Sequence, residues 1–120
     1  MKLEAVRAGL RFDQTAFSNE IINGRALSLT AGYTCPRCAR QVGFLKENFE
    51  QRAPRQISNL SLEVQRAFNE WAAQNGEAGN PFLDWECPGC SLSVRVYALR
   101  WAGGRHGDSG VNLTMVLEAG

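Results

Sequence analysis

Long apolar runs are missing from this chain. No stretch approaches the ~18 consecutive apolar residues of a membrane-spanning helix, and no span is expected. The N-terminus, MKLEAVRAGLRF, interrupts its apolar residues with Lys2, Glu4, Arg7 and Arg11. It therefore lacks the apolar segment of a secretory signal, and the expected location is cytosolic, where thiols stay reduced. Charge of one sign is also scarce. A net charge of +1 over 120 residues gives the chain as a whole no electrostatic footprint for nucleic acid, although residues 1–55 carry nine Lys/Arg against five Asp/Glu and residues 56–120 four against seven. Lysine occurs twice against eleven arginines, a bias that could serve planar recognition of carboxylate or phosphate, although codon usage is the plainer reading. Histidine occurs once, at position 106, so any Ser-His or Cys-His dyad would have to be built on it. No catalytic set emerges, and the chain is expected not to be an enzyme. The acid pairs Glu47/Glu50 and Asp84/Glu86 have no evident pocket and read as surface.

What is present is the patterning of a globular protein. The length suits one domain spanning residues 1–120, and 44% hydrophobic with 21% charged residues is ordinary for such a domain. Residues 2–12 read as a strand or a short helix. Asn23-Gly24 signals a turn, after which Leu27, Leu29, Ala31 and Tyr33 alternate with small or polar residues, the period of a half-buried strand. That strand leads into Cys35, and RQVGFLKENF after Cys38 reads as its return. Residues 53–58 are a connector. SLEVQRAFNEWAAQNG (61–76) is the clearest helix: Ser61 can cap it, Val64, Ala67, Phe68, Trp71 and Ala72 share a face, and Asn75-Gly76 stops it. FLDWE runs into Cys87. SLSVRVYALRW is a strand with Val94, Val96 and Ala98 on one face and Tyr97, Leu99 and Trp101 on the other. Beyond a turn at 102–110, VNLTMVLEA returns with Val111, Leu113, Met115 and Leu117 expected on one side, so the two strands form a long hairpin.

All four cysteines fall in two Cys-Pro-x-Cys units, Cys35/Cys38 and Cys87/Cys90, separated by 48 residues. Each unit sets two thiolates on one side of a tight turn, and two such turns complete a four-sulfur tetrahedron around one ion at about 2.3 Å. Proline after the first cysteine fixes φ and removes a donor that the turn does not need. Backbone N–H groups further along can then stabilise the sulfur charge. A redox unit would instead open a helix, whose N-terminus lowers the thiol pKa, whereas a β-patterned run follows Cys90. Disulfides are disfavoured by the reducing compartment. Zinc is the expected ion, and iron satisfies the same donor set. A closed four-cysteine shell leaves no position for substrate, which argues against catalytic metal.

Strand, Cys-Pro-x-Cys knuckle, return strand, then a second knuckle leading into a hairpin resembles the zinc-ribbon (rubredoxin-like) fold group. The resemblance covers Thr34–Ala39, Glu86–Ser91 and their flanking strands. It implies an α+β fold, an antiparallel sheet and zinc ribbon with one main helix inserted between the two knuckles. Many such knuckles carry glycine, often at positive φ, after the second cysteine, where this chain has Ala39 and Ser91. The fold group hosts many functions and fixes none.

Candidate contact residues are Arg37, Arg40 and Lys46 around the first knuckle, Tyr97 and Trp101 on a strand face, and Arg105 and His106 in the glycine-rich 103–110 loop. Each has a plain alternative: solvated charge, core aromatics and a hairpin connection that needs glycine. Trp71 reads as core, and Trp85 as a shield beside Cys87. Three functions compete: a non-catalytic module that binds another protein (adaptor, inhibitor or immunity-type), a nucleic-acid-binding zinc ribbon, and a thiol-disulfide redox protein. Thiol titration of the native protein separates the last from the others. Four thiols unreactive until a chelator is added are expected, and thiols that titrate freely without one would favour redox chemistry.

Overall fold

The computed structural model describes residues 1–18, 20–22, 25–27, 30–45, 49, 60–102 and 109–120. Along them run β1 (Leu3–Arg7), a 3-10 turn (Ala8–Leu10), β2 (Ala16–Ser18), β3 (Glu20–Ile22), β4 (Arg25–Leu27), β5 (Thr30–Thr34) and β6 (Gln41–Leu45), then α1 (Leu62–Gln74), β7 (Phe82–Glu86), β8 (Ser93–Ala102) and β9 (Ser109–Ala119). Every described strand pair is antiparallel. The main sheet has the order β1-β9-β8-β7, with β2 also on β9, and β3-β4 and β5-β6 are separate two-stranded ribbons. The class is α+β. The start of the chain is both strand and a turn of 3-10 helix. The turn expected at Asn23-Gly24 and the connector at 53–58 lie outside the described residues. No helix among the described residues is long and apolar enough to cross a membrane.

The β8-β9 hairpin is the spine, and a bulge divides it. The register runs Tyr97↔Met115 and then Ala98↔Leu113, leaving Thr114 as the extra residue. Because strand side chains alternate with period two, one inserted residue exchanges the faces. Val111, Leu113 and Val116 therefore join one buried cluster with Val94, Val96, Ala98, Tyr33 and Cys35. Leu117 joins the other with Tyr97, Phe68 and Ala72, and Met115 packs against it. The expectation that Val111, Leu113, Met115 and Leu117 share one side is thus corrected: a bulge is invisible to simple alternation.

Helix α1 forms as its sequence dictates. The Ser61 hydroxyl accepts from the Val64 N–H at 3.3 Å, and Gly76 takes φ 73° just past the end, where a side chain would be strained. Phe68 and Ala72 are buried and Trp71 stacks over Tyr97, centroids 6.2 Å apart. Between helix and sheet sits Arg95, 2% exposed. Its Nε and Nη2 donate to both oxygens of Asp84 at 2.6 and 2.8 Å. Its Nη1 donates to Asn69 on α1 at 2.7 Å and to the Tyr97 hydroxyl at 3.2 Å, and its guanidinium lies 3.9 Å from the Phe82 ring centroid. Burial lowers the Arg95 pKa, and the bonds to Asp84 and Tyr97 more than offset that, so the pKa ends above its ordinary value. The Asp84 side chain is 1% exposed, which corrects its reading as surface: β7-β8 pairing sets Asp84 directly opposite Arg95.

A buried guanidinium tolerates this position only while its partner is charged. Asp84→Ala is therefore expected to lower unfolding free energy by about 3–5 kcal/mol, measured by denaturant titration. The double variant Asp84→Leu with Arg95→Met should recover most of that loss. A single-variant cost no larger than that of an exposed ion pair, below about 1 kcal/mol, would contradict this account.

Candidate metal centre

Two hairpin-like ribbons end in the same six-residue turn. β5 and β6 pair as far as Thr34↔Gln41, closed by residues 35–40. β7 and β8 pair as far as Glu86↔Ser93, closed by residues 87–92. In the first turn Cys35 N–H donates to the Arg40 carbonyl at 3.0 Å and Ala39 N–H to the Cys35 carbonyl at 2.9 Å; in the second, Cys87 N–H donates to Leu92 at 2.7 Å and Ser91 N–H to Cys87 at 2.9 Å. Each turn needs one left-handed residue after its second cysteine, and the chain places Ala39 (φ 60°) and Ser91 (φ 64°) there, the only non-glycine positive φ values among the described residues. The knuckle bend is thus kept without the glycine common in the zinc-ribbon group, at a backbone cost on the order of 1–3 kcal/mol each.

The two turns face each other. Cys35 Sγ lies 3.5 Å from Cys90 Sγ, and Cys38 Sγ 3.6 Å from Cys87 Sγ. All four sulfurs lie within 4.8 Å of one another. A tetrahedron with metal–sulfur bonds of 2.3 Å has edges of about 3.8 Å, so the donor set fits one thiophilic ion with little rearrangement. Cys35 and Cys87 are buried, Cys90 is half-buried and Cys38 is exposed. The four cysteines expected as ligands are brought together.

Electrostatics point the same way. Burial pushes the Cys87 thiol up, but backbone N–H groups of Gly89 and Cys90 and the Cys38 and Cys35 thiols bring it down to about 7. At Cys90 the Leu92 N–H favours the thiolate, yet burial and the sulfurs of Cys35, Cys87 and Cys38 hold the thiol up at about 12. Cys38 is raised too: the Arg40 N–H lowers it, and burial with Cys87 and Cys35 outweighs that. One thiolate forms readily and its neighbours then resist ionising beside it. A bound dication removes that resistance, since binding drives off the protons.

Aromatic and polar contacts surround the cysteine cluster. Tyr33, fully buried, meets Phe12 at 5.4 Å and the edge of Trp85 at 5.1 Å between ring centroids, and all three pack in the cluster that holds Cys35 and Cys87. Trp85 thus stands beside the knuckles, as expected. The Tyr33 hydroxyl donates to Glu118 Oε2. Glu118, 4% exposed, accepts from Arg11 Nε and Nη2 at 3.0–3.2 Å. Burial, followed by the Glu118 hydrogen bond, drives the Tyr33 pKa far above its ordinary value. Arg11 and Glu118 line a cleft of about 250 Å³ together with Lys2, Glu4, Pro36 and Arg37. Neither Glu118 nor Arg11 was singled out from the sequence. Simple alternation gives no signal for Glu118, which falls on the positions shared by polar Asn112 and Thr114.

The remaining candidates scatter. Arg37 and Arg40 are exposed on the first knuckle; the Arg37 guanidinium lies against Gly120, and the Arg40 stem lies over Gly89. Tyr97 is 1% exposed beneath α1, so its reading as a contact residue is corrected: the helix covers that part of the strand face. Beyond the helix the same face is open, with Leu99 48% and Trp101 39% exposed, and the Trp101 ring lies over Gly110, where a Cβ would overlap it. Lys46, Arg105 and His106 lie outside the described residues. No protein-family profile, curated protein or solved structure matches the chain.

The two knuckles differ at one telling position. A Cβ on Gly89 would sit 2.9 Å from Cys38 Sγ, so this glycine leaves room for a sulfur of the opposite knuckle, whereas Arg37 is tolerated at the matching place. Gly89→Ala should weaken metal affinity about tenfold or more, the scale seen when groups that orient metal ligands are changed. Arg37→Ala should leave it unchanged. Competition against a chromogenic chelator measures both, and equal affinities for the two variants would count against the packing described.

Proposed function

We propose that this chain is a small, non-catalytic zinc-ribbon domain, with its helix inserted between the knuckles, that acts by binding another protein. The observation that carries the reading is the convergence of four sulfurs within 4.8 Å. Four thiolates fill a tetrahedral shell, and a filled shell anchors structure instead of activating water. Tetrahedral thiolate coordination favours zinc, with iron as the competing ion. The open end of the β8 face, with Leu99 and Trp101 exposed, supports a protein contact, since tryptophan is enriched among interface hot spots. A near-neutral charge supports the same class of partner. The exposed Arg37 and Arg40 on the knuckle favour a second reading, contact with nucleic acid.

Metal analysis of the purified protein should return roughly one zinc per chain. An interaction partner should be retained by the native protein and lost by Leu99→Ser with Trp101→Ser, with metal content and circular dichroism unchanged. Retention on an oligonucleotide at ~50 mM salt, lost at higher salt and in Arg37→Ala with Arg40→Ala, would transfer support to the nucleic-acid reading.

A further inference from the structure

Both aligned sulfur–sulfur contacts run between the knuckles: Cys35 faces Cys90 at 3.5 Å and Cys38 faces Cys87 at 3.6 Å. A disulfide requires about 2.05 Å between sulfurs, so each pair has to close by about 1.5 Å once no ion holds it open. Each pair also joins a buried sulfur, Cys35 or Cys87, to a more accessible one, Cys90 or Cys38. Oxidation begins at accessible sulfur and is completed by a nearby resolving thiol. We propose that the metal centre is also a site of oxidative modification, at which a peroxide expels the ion and leaves two disulfides, Cys35–Cys90 and Cys38–Cys87, that cross from one knuckle to the other. This rests on the reading of the four cysteines as one metal site.

The chemistry balances without a further reagent. In the metal-loaded protein, where binding has driven off the thiol protons, the thiolate of exposed Cys38 attacks a peroxide oxygen, breaking the O–O bond; the sulfur becomes a sulfenic acid and the departing hydroxide takes a proton from solvent to form water. The Cys87 thiolate then attacks that sulfur, forming the S–S bond and expelling hydroxide, which also becomes water. Two electrons leave the pair and one peroxide is reduced to two waters. A second peroxide does the same at Cys90 and Cys35. The dication departs because disulfide sulfur is a poor ligand for it. The helix-side core, built on Phe68, Ala72, Tyr97 and Leu117, contains no cysteine, so the sheet and helix outlast the ion. The cross-links then hold together the two ribbons that the metal held before. A dithiol reductant reverses the change by thiol–disulfide exchange.

The sequence supplies its own assay. Arg37 lies between Cys35 and Cys38, so trypsin separates residues 26–37 from 38–40, while Cys87 and Cys90 stay together on residues 67–95. The reduced, metal-loaded protein is first assayed for bound metal, then treated with hydrogen peroxide, blocked with a maleimide and digested. Metal should be released to a chromogenic chelator in step with the loss of free thiols, with the far-ultraviolet circular dichroism retained. The digest should contain one species joining all three peptides, with fragmentation between Cys87 and Cys90 assigning Cys38 to Cys87. Peptide 26–37 bound only to 38–40, sulfinic acid without disulfide, or metal that stays bound would overturn the proposal while leaving the metal site intact. A reduced protein that binds no metal would overturn both.

Discussion

Four sulfurs from two distant turns have to meet, and most of the sheet architecture serves that meeting. Each turn brings two thiols to one side of a bend, but neither turn supplies a complete shell. The β5-β6 ribbon carries one pair and the β7-β8 edge of the main sheet the other. Contacts of Tyr33, Phe12 and Trp85 seat the ribbon on the sheet. Glu118 at the end of β9, bonded to Tyr33 of β5 and to Arg11, adds a polar tie to the same junction. With those ties in place the sulfurs reach a spacing suited to one ion, and the mutual repulsion of adjacent thiolates becomes a driving force for binding a cation.

The second half of the molecule is built on a different interaction. Arg95 is buried between α1 and the sheet and held by a bidentate carboxylate, an amide oxygen, a phenol and an aromatic face. A buried ion pair of this kind adds little net stability over an apolar packing, but its geometry is demanding. It fixes where the helix lies on β8, and so where cover stops. Tyr97 falls under the helix, and Leu99 and Trp101 fall beyond it. The exposure of Leu99 and Trp101 thus follows from where one guanidinium anchors the helix.

The α+β class, the helix at 61–76 with its cap and stop, the strands flanking each cysteine pair and the four cysteines that could hold a metal were all legible in the sequence. Their signals are local: spacing of two cysteines, a capping serine, a 3.6-residue stripe, strict alternation. Other features were not. The bulge at Thr114 inverts the face of half a strand, and no residue type marks it. Asp84 and Glu118 look like ordinary surface acids until β7-β8 pairing sets an arginine opposite the first and packing of the β5-β6 ribbon brings a tyrosine against the second. The left-handed turns at Ala39 and Ser91 run against the residue preference of that position, because closure of the knuckle outweighs the local strain.

By itself the sequence determined what chemistry was available, namely four cysteines in two short Cys-Pro-x-Cys units and no second histidine, since side-chain type and short-range spacing are properties of the chain. Only the tertiary structure decided which sulfur faces which, which aromatics are covered and which charges are paired. Those outcomes depend on residues far apart in sequence whose proximity arises only when the two ribbons and the helix pack together.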